Sequence, residues 1–230
     1  MDTSNIPHTP YHVPSVGRLH PNIWGWWLGL TILGGMVGEF FAAIILSRVW
    51  DLVDSIDNGF FTQTFPIVRY MILLPYAFLF AGAIGICQWF VYNRIHHTGT
   101  PRSSGWFWVS GWMIIVMLEY LFRDDPFDDP WIIQSMVLGL VIGGIGGGIQ
   151  WFALRHTLKY GFIWFISSGS ALMLGFAIFR LFAQDRLSGV DGIHGNSYYI
   201  GRLFQWAIYG LITGLTLEWM IRVTNRQRHM

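Results

Sequence analysis

Six long apolar stretches separated by short polar connections set the pattern of this chain: Trp24 to Leu46, Tyr70 to Tyr92, Gly105 to Phe122, Trp131 to Leu154, Gly161 to Ala183 and Tyr199 to Ile221. A helix needs about 20 residues to cross a hydrocarbon core of about 30 Å, and each stretch is of that order. The sixth is the least apolar, with Arg202 and Glu218 near its two ends. The pattern predicts an all-α, polytopic membrane protein with six transmembrane helices in residues 23–222, between a polar arm at 1–22 and a charged tail at 223–230.

The connections alternate in charge. Asp51, Asp54 and Asp57 follow the first stretch, and Asp124, Asp125, Asp128 and Asp129 follow the third. Arg94, His96, His97 and Arg102 follow the second, Arg155, His156 and Lys159 the fourth, and Arg222, Arg226 and Arg228 the sixth. Lys and Arg favour cytoplasmic loops. Both termini and both basic turns are therefore expected in the cytoplasm, with the acidic connections outside; only the fifth connection is mixed. The arm carries Pro7, Pro10, Pro14 and Pro21 and no apolar core. It does not read as a cleavable signal peptide, so the first apolar stretch is expected to act as the insertion signal.

Two helical hairpins share one plan. Gln88-Trp89-Phe90 closes one glycine-rich helix, and Gln150-Trp151-Phe152 closes another. Each is followed by a basic turn and a returning helix, with Trp106, Trp108 and Ser110 in the first case and Trp164, Ser167 and Ser168 in the second. Setting Gln88 over Gln150 sets Ala81 over Gly143 and Gly85 over Gly147, so small residues and the amide share one helix face. Small residues at this spacing let helix backbones approach, and buried amides hydrogen-bond across the contact. Glu218-Trp219, with Gly210 and Gly214 before it, reads as a degenerate third copy. Its partner is the first helix, because placing Trp26 over Trp106 also places Glu39 over Glu119. The expectation is a pseudo-three-fold bundle of hairpins, with repeats at about 81–122 and 143–183 and a third divided between 199–222 and 23–47.

On these motifs the segment from Ala81 to Phe179 resembles uncharacterised multi-pass membrane proteins of phototrophic bacteria. The resemblance implies a helical repeat bundle in a photosynthetic bacterial inner membrane, and it implies no catalytic residue.

Composition narrows the chemistry further. The chain is 53% hydrophobic, 17% aromatic and 12% charged, against roughly 25% charged in ordinary soluble domains. A net charge of +1 says nothing about nucleic acid, and with no basic stripe or RNA-binding signature no nucleic-acid partner is expected. The lone Cys87 permits no disulfide within the chain and reads as a core residue. Every histidine stands in a tail, turn or span edge, so none is placed to ligate a haem in the bilayer core. His96, His97 and His156 read as exposed turn residues rather than a metal site, and the acidic run at 124–129 lacks EF-hand spacing. A chlorophyll would need Gln88, Gln150, a backbone carbonyl or water as its ligand. Trp24, Trp26, Trp27, Trp89, Trp106, Trp108, Trp151, Trp164 and Trp219 cluster toward the cytoplasmic span ends, which predicts a headgroup-level aromatic belt.

Ionisable groups inside spans are expensive and mark candidate sites. Gln88, Gln150 and Glu218 form an inner layer; Glu39, Glu119 and Arg180 form an outer one, with Arg180 the expected cation of an interhelical ion network. Glu218 is expected to reach Arg222, and Glu119 to reach Arg123, at i to i+4 spacing. Ser168-Gly169-Ser170 has no intramembrane histidine base, so no hydrolytic site is read here. The expected function is a non-catalytic accessory or scaffold subunit of a larger membrane assembly, with other membrane subunits and lipid as partners and no obligate cofactor. The alternatives are a small proton-coupled carrier built on Glu39 and Glu119, or a pigment- or lipid-binding protein.

Overall fold

The computed structural model describes residues 22–57, 66–95, 104–123, 132–155, 157–158, 160–184 and 196–228. The proline arm, His96 and His97, the acidic run at 124–129, His156, Lys159 and the last two residues lie outside the described residues, as does the side chain of Arg123. Six helices follow one another: α1 (Ile23–Asp57), α2 (Pro66–Ile95), α3 (Ser104–Arg123), α4 (Ile132–Leu154), α5 (Phe162–Gln184) and α6 (Asn196–Arg228). No strand occurs among the described residues. Helix α1 continues well past Leu46, and α6 runs beyond Ile221 through its arginine-rich end. Pro75 stands inside α2, which continues through it.

Each helix packs on its neighbours in the chain, and α6 returns to pack on α1, which closes the ring. Glycine sets the separation at every one of these six contacts. A Cβ added at Gly34 would stand 3.0 Å from the Ile84 backbone, at Gly85 2.8 Å from that of Val109, and at Gly111 3.0 Å from the Gly146 carbonyl. At Gly143 it would meet the Ser168 carbonyl at 2.6 Å, at Gly175 the Gln205 carbonyl at 3.2 Å, and at Gly214 the Trp24 carbonyl at 3.2 Å. Backbone approach of this kind holds helices together where lipid removes the hydrophobic drive between them. Within the hairpins, Trp89 covers Gly105 and Trp151 covers Gly161, so that a Cβ on either glycine would stand 3.1 or 3.0 Å from the indole.

The burial pattern is inverted relative to a water-soluble bundle. Glu39, Arg202, Gln88, Gln150, Gln205, Thr31, Thr213 and Ser168 are buried, while Phe40, Phe41, Phe78, Phe90, Phe165, Leu181, Leu211 and Leu215 face outward. Apolar outside and polar inside is the arrangement a bilayer imposes, because ionisable groups in spans turn toward the bundle interior. Helices α1, α2, α4 and α5 contain stretches long and apolar enough to cross a membrane, namely Ile23–Val49, Leu74–Arg94, Ile132–Leu154 and Phe162–Phe182. The protein is a multi-pass, membrane-embedded helical bundle. Among the described residues α3 carries a shorter apolar segment, Gly105–Glu119, which ends where the described side chains of that helix end, and α6 has no stretch that meets the measure. The reason in α6 is a polar stripe, Tyr198, Arg202, Gln205, Tyr209, Thr213 and Thr216, at steps of four, three, four, four and three residues along one face.

Candidate functional site

Two apolar cores are stacked along the bundle, with polar groups between them and an ionic cluster near the far end. The core at the N-terminal end of α1 is built on Trp27, Trp108 and Trp164, from α1, α3 and α5. Their rings meet pairwise at 5.4, 5.5 and 5.5 Å, all edge-to-face, the geometry that sets the positive edge of one ring against the negative face of the next. All three side chains are fully buried. This corrects the expectation of a belt: the three indoles point inward and plug the axis, while Trp24, Trp26, Trp106 and Trp219 remain exposed. A buried indole needs an acceptor, and two of the three have one. Trp27 Nε1 donates to Thr213 Oγ1 at 2.9 Å, and Trp164 Nε1 to Gln150 Oε1 at 2.9 Å. Trp108 Nε1 has no hydrogen-bond partner among the described residues.

The polar layer lies directly behind this plug. Trp112 Nε1 donates to Gln88 Oε1 at 2.8 Å, and Gln88 Nε2 donates on to Thr31 Oγ1 at 3.2 Å, which ties α3, α2 and α1 together. Ser167 and Thr216 share a hydrogen bond at 2.8 Å, and Tyr209 reaches Ser168 at 3.5 Å. The Oε1 atoms of Gln88 and Gln150, the atoms that would ligate a chlorophyll magnesium, both accept indole protons instead. Glu218 turns to the bundle's end, where it pairs with Arg222 and accepts from the Trp24 backbone N–H at 3.4 Å. That contact places a carboxylate at the first turn of α1, where the helix dipole favours negative charge.

The ionic cluster is centred on Arg202. Its Nε lies 3.0 Å from Glu39 Oε1, its Nη2 2.8 Å from Glu119 Oε1, and its Nη1 donates to Gln205 Oε1 at 2.8 Å. Tyr198 donates to Glu39 Oε1 at 2.5 Å. The Phe179 ring lies 4.3 Å from the guanidinium carbon, a cation–π contact that covers the apolar face of the charge. One guanidinium thus joins α6 to α1 and, across the bundle, to α3. Its planar fork is suited to holding two carboxylates at once in a way a lysine is not. The cluster contains two acids and one base, and Glu39 Oε2 is buried with no hydrogen-bond partner among the described residues.

The structure therefore brings Glu39 and Glu119 together and changes their cation. Arg180, the expected one, donates instead to Ser135 of α4 at 3.0 Å. Glu119 pairs with Arg202; the Arg123 side chain expected to reach it lies outside the described residues. Arg202, Tyr198 and Gln205 are the members sequence reasoning missed, and the three-and-four spacing of the α6 stripe is the signal that marks them. Among the described residues no group of three or more His, Cys, Asp or Glu is placed to hold a metal ion. A comparison with protein-family models, with curated proteins and with solved structures finds no match.

Proposed function

We propose that this protein is a non-catalytic scaffold subunit of a larger membrane assembly, in which the six-helix ring is a rigid body and its outer surface docks onto partner subunits. The observation that carries the reading is the mutual engagement of the intramembrane polar groups. Gln88, Gln150, Glu39 and Glu119 all bond to residues on other helices, as groups do when they fix helix position. The tryptophan plug fills the axis on the same principle. In this reading α3 and α6 cross the bilayer with the other four, α6 turning its polar stripe to the interior and Leu203, Leu211 and Leu215 to lipid.

The corresponding glycine contacts of Trp89 and Trp151 support three hairpins related by a pseudo-three-fold axis. The exposed Arg94, Arg155, Arg222 and Arg226 at one end support reading that end as cytoplasmic, with both termini on that side of a bacterial inner membrane. The resemblance to proteins of phototrophs makes a photosynthetic or energy-transducing assembly the first place to look. Native mass measurement after gentle detergent extraction tests the proposal: a defined complex with other membrane subunits is expected, and a lone monomer overturns it. The absorption spectrum of the same preparation tests for bound pigment.

A second reading, a proton-coupled carrier, is favoured by the surplus carboxylate of the cluster and by the unpartnered Glu39 Oε2. It requires that Glu39→Gln and Glu119→Gln each abolish flux in proteoliposomes while assembly persists. Unchanged flux in both variants removes it.

A further inference from the structure

A second feature lies at the opposite end of the bundle from the ionic cluster, on the rim made by the α4–α5 turn and the last turns of α6. Arg155 is exposed there, its guanidinium carbon 4.6 Å above the Phe152 ring. Tyr160 closes the turn in the left-handed backbone region, at φ 63°, a conformation that strains a bulky residue and persists only when its surroundings hold it. Its ring packs on Trp219 of α6, with centroids 6.0 Å apart. One turn on, the Arg222 side chain is 60% exposed although it is paired with Glu218, and Arg226 follows on the next turn, also exposed. Phe152, Phe162 and Trp219 present open apolar surface beside these charges. Among the described residues the rim carries exposed Arg155, Arg222 and Arg226, Arg222 being paired with Glu218, beside exposed aromatic rings.

We propose that this rim binds the headgroup of an anionic phospholipid. Arg155, Arg222 and Arg226 would face the phosphate, while Phe152, Phe162 and Trp219 would lie along the upper acyl chain. The chemistry points to lipid for two reasons. Helix α6, with 33 residues at about 1.5 Å each, is longer than the about 30 Å hydrocarbon core requires, so its last turns stand at headgroup depth. Tryptophan and tyrosine rings favour that depth, and basic clusters beside it attract anionic lipid. The inference goes beyond the scaffold reading and holds whether or not a partner subunit is found.

The test uses the full chain purified from micelles that contain equal amounts of phosphatidylglycerol and phosphatidylcholine, followed by native mass measurement of retained lipid. Wild type is expected to retain phosphatidylglycerol at least ten-fold over phosphatidylcholine. The triple variant Arg155→Gln, Arg222→Gln, Arg226→Gln should lose that preference, whereas Arg155→Lys, Arg222→Lys, Arg226→Lys should keep most of it. Arg48→Gln, an exposed arginine toward the other end of the bundle, should change nothing. Equal retention of the two lipids by wild type overturns the proposal, as does an undiminished preference in the glutamine variant. A preference abolished by millimolar inorganic phosphate at constant ionic strength also overturns it, by assigning the rim to a free anion.

Discussion

The two ends of the bundle solve one problem, how to hold six helices together in lipid, by different means. At the tryptophan end the interior is neutral: three indoles meet edge-to-face, two of them anchored on Thr213 and Gln150. At the other end the interior is ionic, and a single arginine on α6 joins α1 to α3. The neutral end draws one tryptophan from each of α1, α3 and α5, so the work is shared among similar side chains. The ionic end depends on one side chain that nothing else duplicates. Damage should therefore be graded at the first end and abrupt at the second.

The largest effect is expected from Arg202→Met. It leaves Glu39 and Glu119 buried without their cation, and breaking a buried pair from one side costs about 3–5 kcal/mol. Unfolding in mild detergent, followed by circular dichroism, measures it. The combined variant Glu39→Met, Glu119→Met, Arg202→Met should recover most of the loss, because replacing a whole buried ion cluster by apolar residues is often neutral. If the combined variant is as unstable as Arg202→Met alone, the cluster's charge balance is not what holds that end.

The contrast between Arg202 and Arg180 also shows what was legible in the chain and what was not. Apolar run length located the helices, with boundaries close to those observed for α2 to α5, because lipid demands runs of that length whatever the packing. Spacing also gave the depth of each polar residue, since a helix rises by about 1.5 Å per residue. Rotation about the helix axis is a different matter: it is decided by which faces fit together, and residue count alone does not report it. Arg180 and Arg202 stand at comparable depth, yet α5 turns the first toward Ser135 while α6 turns the second to the axis. Trp27, Trp108 and Trp164, expected on the outer surface of the spans, turn inward for the same reason. Glu39 and Glu119 both turn to Arg202 in the interior, as acids inside a span do.

The next effect concerns helix separation, which both ends share. Gly143→Ala forces a methyl to 2.6 Å from the Ser168 carbonyl, and overpacking of this kind costs about 1–3 kcal/mol. Gly82→Ala meets nothing within 4 Å and should be neutral, or stabilising by up to about 1 kcal/mol through helix propensity. Equal stability of the two variants would mean that the α4–α5 contact is looser than described.

Within the neutral end, the three indoles make a finer comparison. Trp27→Phe and Trp164→Phe each remove a donor from a buried acceptor, whereas Trp108→Phe removes an indole N–H that has no hydrogen-bond partner among the described residues. The first two should cost about 1 kcal/mol more than the third, measured by the same unfolding assay. Three equal losses would show that ring packing alone holds the plug, and that the hydrogen bonds to Thr213 and Gln150 contribute nothing beyond it.

The smallest effect is expected where the two modes meet, at Glu218. In the sequence Glu218-Trp219 reads as a degenerate copy of Gln88-Trp89 and Gln150-Trp151, but its carboxylate pairs with Arg222 and accepts from the start of α1 instead of receiving an indole. An i to i+4 pair with an exposed arginine is worth little, and Glu218→Gln should cost only about 0.5 kcal/mol. The loss should shrink in high salt, where surface charges are screened. A loss as large as that of Gln88→Leu, which strands the buried Trp112 indole, would mean that Glu218 belongs to the interior polar layer and that the third hairpin follows the other two more closely than its contacts indicate.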